Sequence, residues 1–115
     1  APVIVGGNSA IVLAGENALT AITFAEVLST SDVPAGVVNI LTGKRAELIP
    51  EFAKHMDVNA VLLCSNDKDE KKLLDLESAE NLKRVSHQKD APLKESPYYI
   101  LDFQEIKTTW HPIGV

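Results

Sequence analysis

Ile40-Leu41-Thr42-Gly43-Lys44-Arg45-Ala46-Glu47-Leu48-Ile49 is the stretch whose reading decides the fold. An apolar run, Val37-Val38-Asn39-Ile40-Leu41, stops at a Thr-Gly turn and passes directly into an amphipathic segment. Short, continuous, β-branched runs of this kind are strands buried on both faces. A buried strand that turns straight into a helix is the repeating unit of a parallel α/β sheet, and its turn is where such sheets hold phosphates. Thr42 and Gly43 are therefore candidate ligand positions, with Lys44 and Arg45 as point charges at the helix start. A phosphate cradle needs backbone that an anion can approach closely, yet the next glycine after Gly43 is Gly114. The place of a phosphate loop is present without the glycines that serve it.

Working outward, the apolar run Val3–Val5 ends at the turn Gly6-Gly7-Asn8, and Ser9–Ala14 reads as another buried strand. Leu19 to Leu28 carries apolar residues at three- and four-residue spacings and predicts a helix, stopped by Val33-Pro34-Ala35-Gly36. The helix after Gly43 spans about Arg45 to His55 by its stripe Leu48, Ile49, Phe52 and Ala53. Pro50 favours a start near Leu48, which places the proline in the first turn. Val58–Leu63 is a third strand, with Cys64 at its end as a small core residue and Ser65-Asn66-Asp67 as turn and cap. Lys68 to Glu80 is a helix with a narrow stripe of Leu73, Leu74 and Leu76, its remaining residues solvated charge. Leu82–Val85 reads as an edge-like fourth strand. Tyr98–Phe103 and Ile106–Trp110 are built from β formers. The order β-α-β-α-β-α-β predicts a doubly wound, mainly parallel, Rossmann-like α/β sheet with a C-terminal β tail. Residues 1–86 form the core, 87–97 a loop or linker and 98–115 the terminal strand segment.

Composition narrows the function. With 115 residues the chain is about one domain, and a formal charge of −5 with no basic stripe argues against nucleic acid as a partner. No apolar run approaches the roughly 20 residues that cross a bilayer. Cys64 is the single cysteine, so no internal disulfide or cysteine-rich metal framework can form, and the expected compartment is the cytoplasm. His55, His87 and His111 lack ligand spacing, so no metal is expected, and His87 in a polar loop is expected to be exposed. The chain opens on Ala1 rather than Met, which reads as an excised or trimmed piece.

Five segments, in order, resemble the cofactor-binding domain of the aldehyde dehydrogenase superfamily. They are Gly7-Asn8-Ser9-Ala10-Ile11-Val12-Leu13, the helix with Leu19-Thr20-Ala21 and Ala25-Glu26, Val33 to Gly43, His55-Met56-Asp57-Val58, and Asn81-Leu82-Lys83-Arg84-Val85. Phe103 to Trp110 is similar to a segment near the C-terminus of these enzymes that leads into an oligomerisation strand. The resemblance covers the nucleotide-binding portion and that terminal strand, and omits the catalytic domain between them.

It also implies what each site position should hold. The family's ribose-binding Lys falls on Ala14, leaving Glu16 as a remnant; its later phosphate-loop glycines fall on Arg45 and Ile49; its Phe-Thr-Gly-Ser falls on Leu63-Cys64-Ser65-Asn66. The general-base Glu falls on Gln88, whose amide cannot accept a proton from water at useful rates. The catalytic thiol belongs to the missing domain, so Cys64 is not that nucleophile. The resulting expectation is a domain without catalytic residues and without a cofactor. Its role would be structural or in oligomerisation, paired through Ile106, Thr108 and Trp110 with an aldehyde dehydrogenase module of the same parent chain or with a second copy. The alternatives are retained NAD or NADP binding through Glu16, Thr42, Gly43, Lys44, Arg45, Ser65 and Asn66, or a fragment of an NAD-dependent aldehyde oxidoreductase.

Overall fold

A computed structural model of the chain describes residues 1–15, 18–88 and 96–114. Its elements run α1 (Pro2–Val5), β1 (Ala10–Ala14), α2 (Ala18–Ser29), β2 (Val38–Thr42), α3 (Arg45–Lys54), β3 (Ala60–Leu63), α4 (Lys68–Ala79), β4 (Arg84–His87) and α5 (Tyr98–Leu101). The strands pair in parallel, as helical crossovers require. Ala10 to Ala14 of β1 stand opposite Val38 to Thr42 of β2. Ala60 to Leu63 of β3 stand opposite Arg84 to His87 of β4. The protein is thus an α/β fold of the Rossmann-like kind, in which the four strands among the described residues form two parallel pairs, β1-β2 and β3-β4.

The core lies in the second half. Ala53 of α3, Leu63 of β3 and Leu74 of α4 are buried together, with Val61 and Val85 packed against them. The first half is open by comparison: α2 buries no residue, and its Leu19 is 82% exposed and Phe24 55%. The radius of gyration, 16.4 Å, exceeds the roughly 13 Å of a compact domain of about this size. Much apolar surface therefore remains uncovered by the chain's own elements.

Helix α3 begins at Arg45, not near Leu48, and carries Pro50 inside it. The earlier start is stable because the Lys44 carbonyl accepts from the Glu47 and Leu48 amides, both at 3.1 Å, before Pro50 is reached. Pro50 then costs one bond, to the Ala46 carbonyl. Burial of Ile49 and Ala53 on the core-facing side offsets that loss. Helix α4 starts where expected, since the Asp67 carboxylate accepts from the Asp69 and Glu70 amides.

The α4–β4 turn moves the fourth strand two residues later than Leu82–Val85. Leu82 adopts φ 55°, and its side chain is 91% exposed. Its neighbours are used for fastening. Asn81 Nδ2 donates to the Ala53 carbonyl at 3.0 Å and the Lys54 carbonyl at 3.3 Å, satisfying the C-terminal end of α3. Lys83 Nζ donates to the carbonyls of His55, at 2.6 Å, and Val58. The Asn81–Val85 segment thereby ties the α3–β3 loop to the second strand pair.

The C-terminal segment also differs from expectation. Tyr98–Leu101 is a short helix rather than a strand, because Ser96-Pro97 starts a helical turn: the Pro97 carbonyl accepts from the Ile100 and Leu101 amides. Ile106 to Trp110 has no strand assignment and no ladder partner among the described residues. Part of the expected 87–97 loop, residues 89–95, lies outside the described residues.

Candidate functional site

An open α/β sheet binds ligands beyond the C-terminal ends of its parallel strands, which here are followed by the turns after β2 and β3. Thr42, the last residue of β2, and Gly43 and Lys44 after it are exposed, and Arg45 is half-buried at the start of α3. Ser65 and Asn66 follow β3, Ser65 half-buried and Asn66 exposed. Glu16 lies outside the described residues.

The structure brings Arg45 and Ser65 together, through a residue that periodicity assigns to solvent. Glu70 of α4 receives a bidentate fork from Arg45, Nε to Oε1 at 3.1 Å and Nη2 to Oε2 at 2.9 Å. The hydrogen bonds from Arg45 hold the Glu70 carboxyl below the usual carboxylate range against the opposing effect of burial, and Ser65 adds a further hydrogen bond. Reciprocally, the Glu70 hydrogen bond raises the Arg45 pKa. Lys44 pairs with Glu47 at 3.1 Å, but both side chains are largely exposed, so this pair contributes little. Above Gly43 the space is taken by Leu48, whose Cδ1 would lie 2.8 Å from a Cβ built on that glycine. Ser65 Oγ also accepts from the Asp67 amide at 3.1 Å.

The turn thus carries an apolar Leu48 side chain beside the glycine and a Glu70 carboxylate engaging the Arg45 fork. The sequence carried both signals in part. Leu48 belongs to the α3 stripe, and Glu70 stands three residues after a cap residue. Nothing local, however, links Glu70 to Arg45, which is 25 positions away.

Substituting Glu70→Gln should lower stability by about 2 kcal/mol at neutral pH in urea unfolding, the usual worth of a hydrogen-bonded charged pair. Because the folded Glu70 pKa lies below its ordinary 4.5, this contribution is present above pH 4.5 and is lost as pH falls through the folded value. The Gln variant should lack that part of the acid dependence.

Two neighbouring expectations are corrected. Cys64 is exposed rather than a core residue, since it stands one position beyond the last residue of β3. His87 is the last residue of β4, mostly buried, with Nε2 2.7 Å from Asp75 Oδ1 on α4. The backbone N–H of Gln88 donates to the Leu63 carbonyl and so extends the β3-β4 pairing. Among the described residues no group of His, Cys, Asp and Glu is arranged to hold a metal. At the other end of the chain, Ile106 and Trp110 are 94% and 92% exposed, and Thr108 is exposed between them.

Parallel β-α-β units define a Rossmann-like α/β protein. Comparison with known proteins makes this specific: residues 1–91 match the aldehyde dehydrogenase family. The chain belongs to that family. It is 34% identical over 85 residues to aminoacetaldehyde dehydrogenase from Pseudomonas aeruginosa, covering 73% of this chain and 17% of that protein. It is 32% identical over 85 residues to the NADP/NAD-dependent aldehyde dehydrogenase PuuC of Escherichia coli, again covering 73% and 17%. Similarity to aldehyde dehydrogenase 1 of Tanacetum cinerariifolium, 27% over 108 residues, extends over 93% of the chain and 21% of the relative. The chain thus spans about a fifth or less of the length of the curated relatives it matches. No solved structure matches it. Among the described residues, no helix is long and apolar enough to cross a membrane.

Proposed function

We propose that this chain is a non-catalytic aldehyde-dehydrogenase-like domain that takes no dinucleotide and serves a structural or oligomerising role. Its partner is an aldehyde dehydrogenase module in the same parent protein or a second copy of the chain, in the cytoplasm, where an exposed thiol such as Cys64 stays reduced. The observation that carries this reading is the turn after β2, with Leu48 beside Gly43 and Arg45 held by Glu70. Gln88 at the general-base position supports it, as does the apolar surface left open on α2 and at Ile106 and Trp110. A second reading, a fragment of an NAD(P)-dependent aldehyde oxidoreductase, is favoured by the 17% of each enzyme that the bacterial relatives' alignments take in.

Sedimentation velocity of the 115-residue chain, alone and with a separately produced aldehyde dehydrogenase module, tests the first reading. Self-association or co-sedimentation is expected. A monodisperse monomer that leaves the module's boundary unchanged would sink it.

A further inference from the structure

The two shortest helices cannot stand alone. Helices α1 and α5 have four residues each and bury none of them, and a single helical turn does not persist in water without tertiary support. They pack on one another, although α1 starts at Pro2 and α5 at Tyr98. Each therefore depends on the other for its conformation.

The turn Gly6-Gly7-Asn8 fastens the pair. Asn8 Nδ2 uses both of its hydrogens, donating to the Val3 carbonyl at 3.1 Å and to the Phe103 carbonyl at 3.0 Å, so that one carboxamide ties α1 to the end of α5. Gln104 Nε2 donates to the Gly6 carbonyl at 3.3 Å. Gly6 is what admits it: a Cβ there would lie 1.7 Å from that nitrogen, while the Gly6 backbone, at φ −83°, is open to any residue. Gly7 serves the turn instead, with φ +86° and nothing within 4 Å of a Cβ position.

Within the C-terminal segment the hydrogen bonds are local. The Pro97 carbonyl accepts from the Ile100 and Leu101 amides, Tyr98 from Asp102, Ile100 from Phe103, and Leu101 from Gln104. Leu101 to Phe103 face residues 60–61 of β3 and 84–86 of β4 across a cavity of about 250 Å³, so the segment is not packed down on the strands. Polar latches and loose packing mark a unit that opens at a lower free energy than the whole domain.

We infer that residues 98–104 are a strap latched by the Gly6–Asn8 turn, and that α1, the turn and the strap open together while the core of α3, β3 and α4 stays folded. The open form uncovers the starts of β3 and β4. The latch consists of contacts within this chain and does not depend on the role proposed above.

Native-state hydrogen exchange of the isotope-labelled 115-residue chain, followed by NMR over a series of low urea concentrations, tests the strap. The amides of Ile100 to Gln104 and of Gly7 are expected to exchange as one group. Their rate should exceed that of α3 and α4 by about tenfold or more and vary little with urea, as an opening that exposes little surface does. Asn8→Ala should speed the group about fivefold, the worth of one hydrogen bond, and leave α4 unchanged. Gly6→Ala pushes the Gln104 side chain aside and Gln104→Ala removes it, so each should speed the group about twofold and the double variant no more than either. Strap amides that share the rate and urea slope of α4 would overturn the proposal, as would strap amides without protection or a Gly7 amide that exchanges apart from them. An Asn8→Ala effect that is absent, or equal on strap and core, would do the same, and so would additive effects at Gly6 and Gln104.

Discussion

Leu74→Ala is expected to lower the unfolding free energy by about 3 kcal/mol in urea or guanidinium unfolding. Leu74 is 1% exposed and packs against Ala53 and Leu63, themselves 0% and 5% exposed. Truncation removes the transfer energy of its side-chain carbons and leaves a cavity where α3, α4 and β3 meet. Surroundings that are already close-packed collapse only partly into such a gap. In a domain whose total stability is of order 5–15 kcal/mol, that is a large share. Substitutions on the open first half should behave differently: Phe24→Ala on α2 removes a side chain that is 55% exposed and has less burial to lose. If Leu74→Ala and Phe24→Ala destabilised the isolated chain equally, the core would not lie where the structure places it.

Lys83→Met should cost about 2 kcal/mol, although it preserves most of the side chain's length and apolar stem. Lys83 is 9% exposed, and its Nζ satisfies the carbonyls of His55 and Val58, which close the α3–β3 loop. Methionine fills the stem's space and leaves both carbonyls without that donor. The pH dependence distinguishes this from simple packing. Burial lowers the folded pKa of Lys83 below 10.5, so between the folded value and 10.5 the unfolded chain binds more protons. Stability should therefore rise with pH across that window, by the Lys83 contribution. The methionine variant should lack that rise. An unchanged alkaline profile would contradict the burial of the ammonium group.

The parts of the fold legible in the sequence were those with a continuous local pattern. Ser9–Ala14, Val37–Leu41 and Val58–Leu63 are mostly apolar runs between turn residues; the first and third contain β1 and β3, and the second covers all of β2 but Thr42. Helix α4 was legible from Asp67 and its leucine stripe. Local rules failed where distant partners decide. Pro50 argues for a late helix start when considered alone, but Ile49 and Ala53 secure α3 by burying against elements that follow it. Tyr98 and Tyr99 favour strand by propensity, yet Ser96-Pro97 sets a helical turn before them. At the candidate site the loss of glycines after Gly43 was readable residue by residue. The Arg45–Glu70 fork was not, because each member alone resembles an ordinary charge on a solvated helix. The same applies to His87 and Asp75, which meet only once β4 lies beside α4.

The proposed structural role requires that the turn after β2 take no dinucleotide. Leu48 Cδ1 stands 2.8 Å from where a Cβ on Gly43 would fall, and Glu70 pairs with Arg45, while Lys44 remains exposed. Calorimetric titration of the 115-residue chain with NAD and with NADP tests this most directly. No saturable heat is predicted for either nucleotide up to about 1 mM, a limit equivalent to binding weaker than about −4 kcal/mol. Saturable, one-to-one binding of NAD or NADP at micromolar concentration would contradict it.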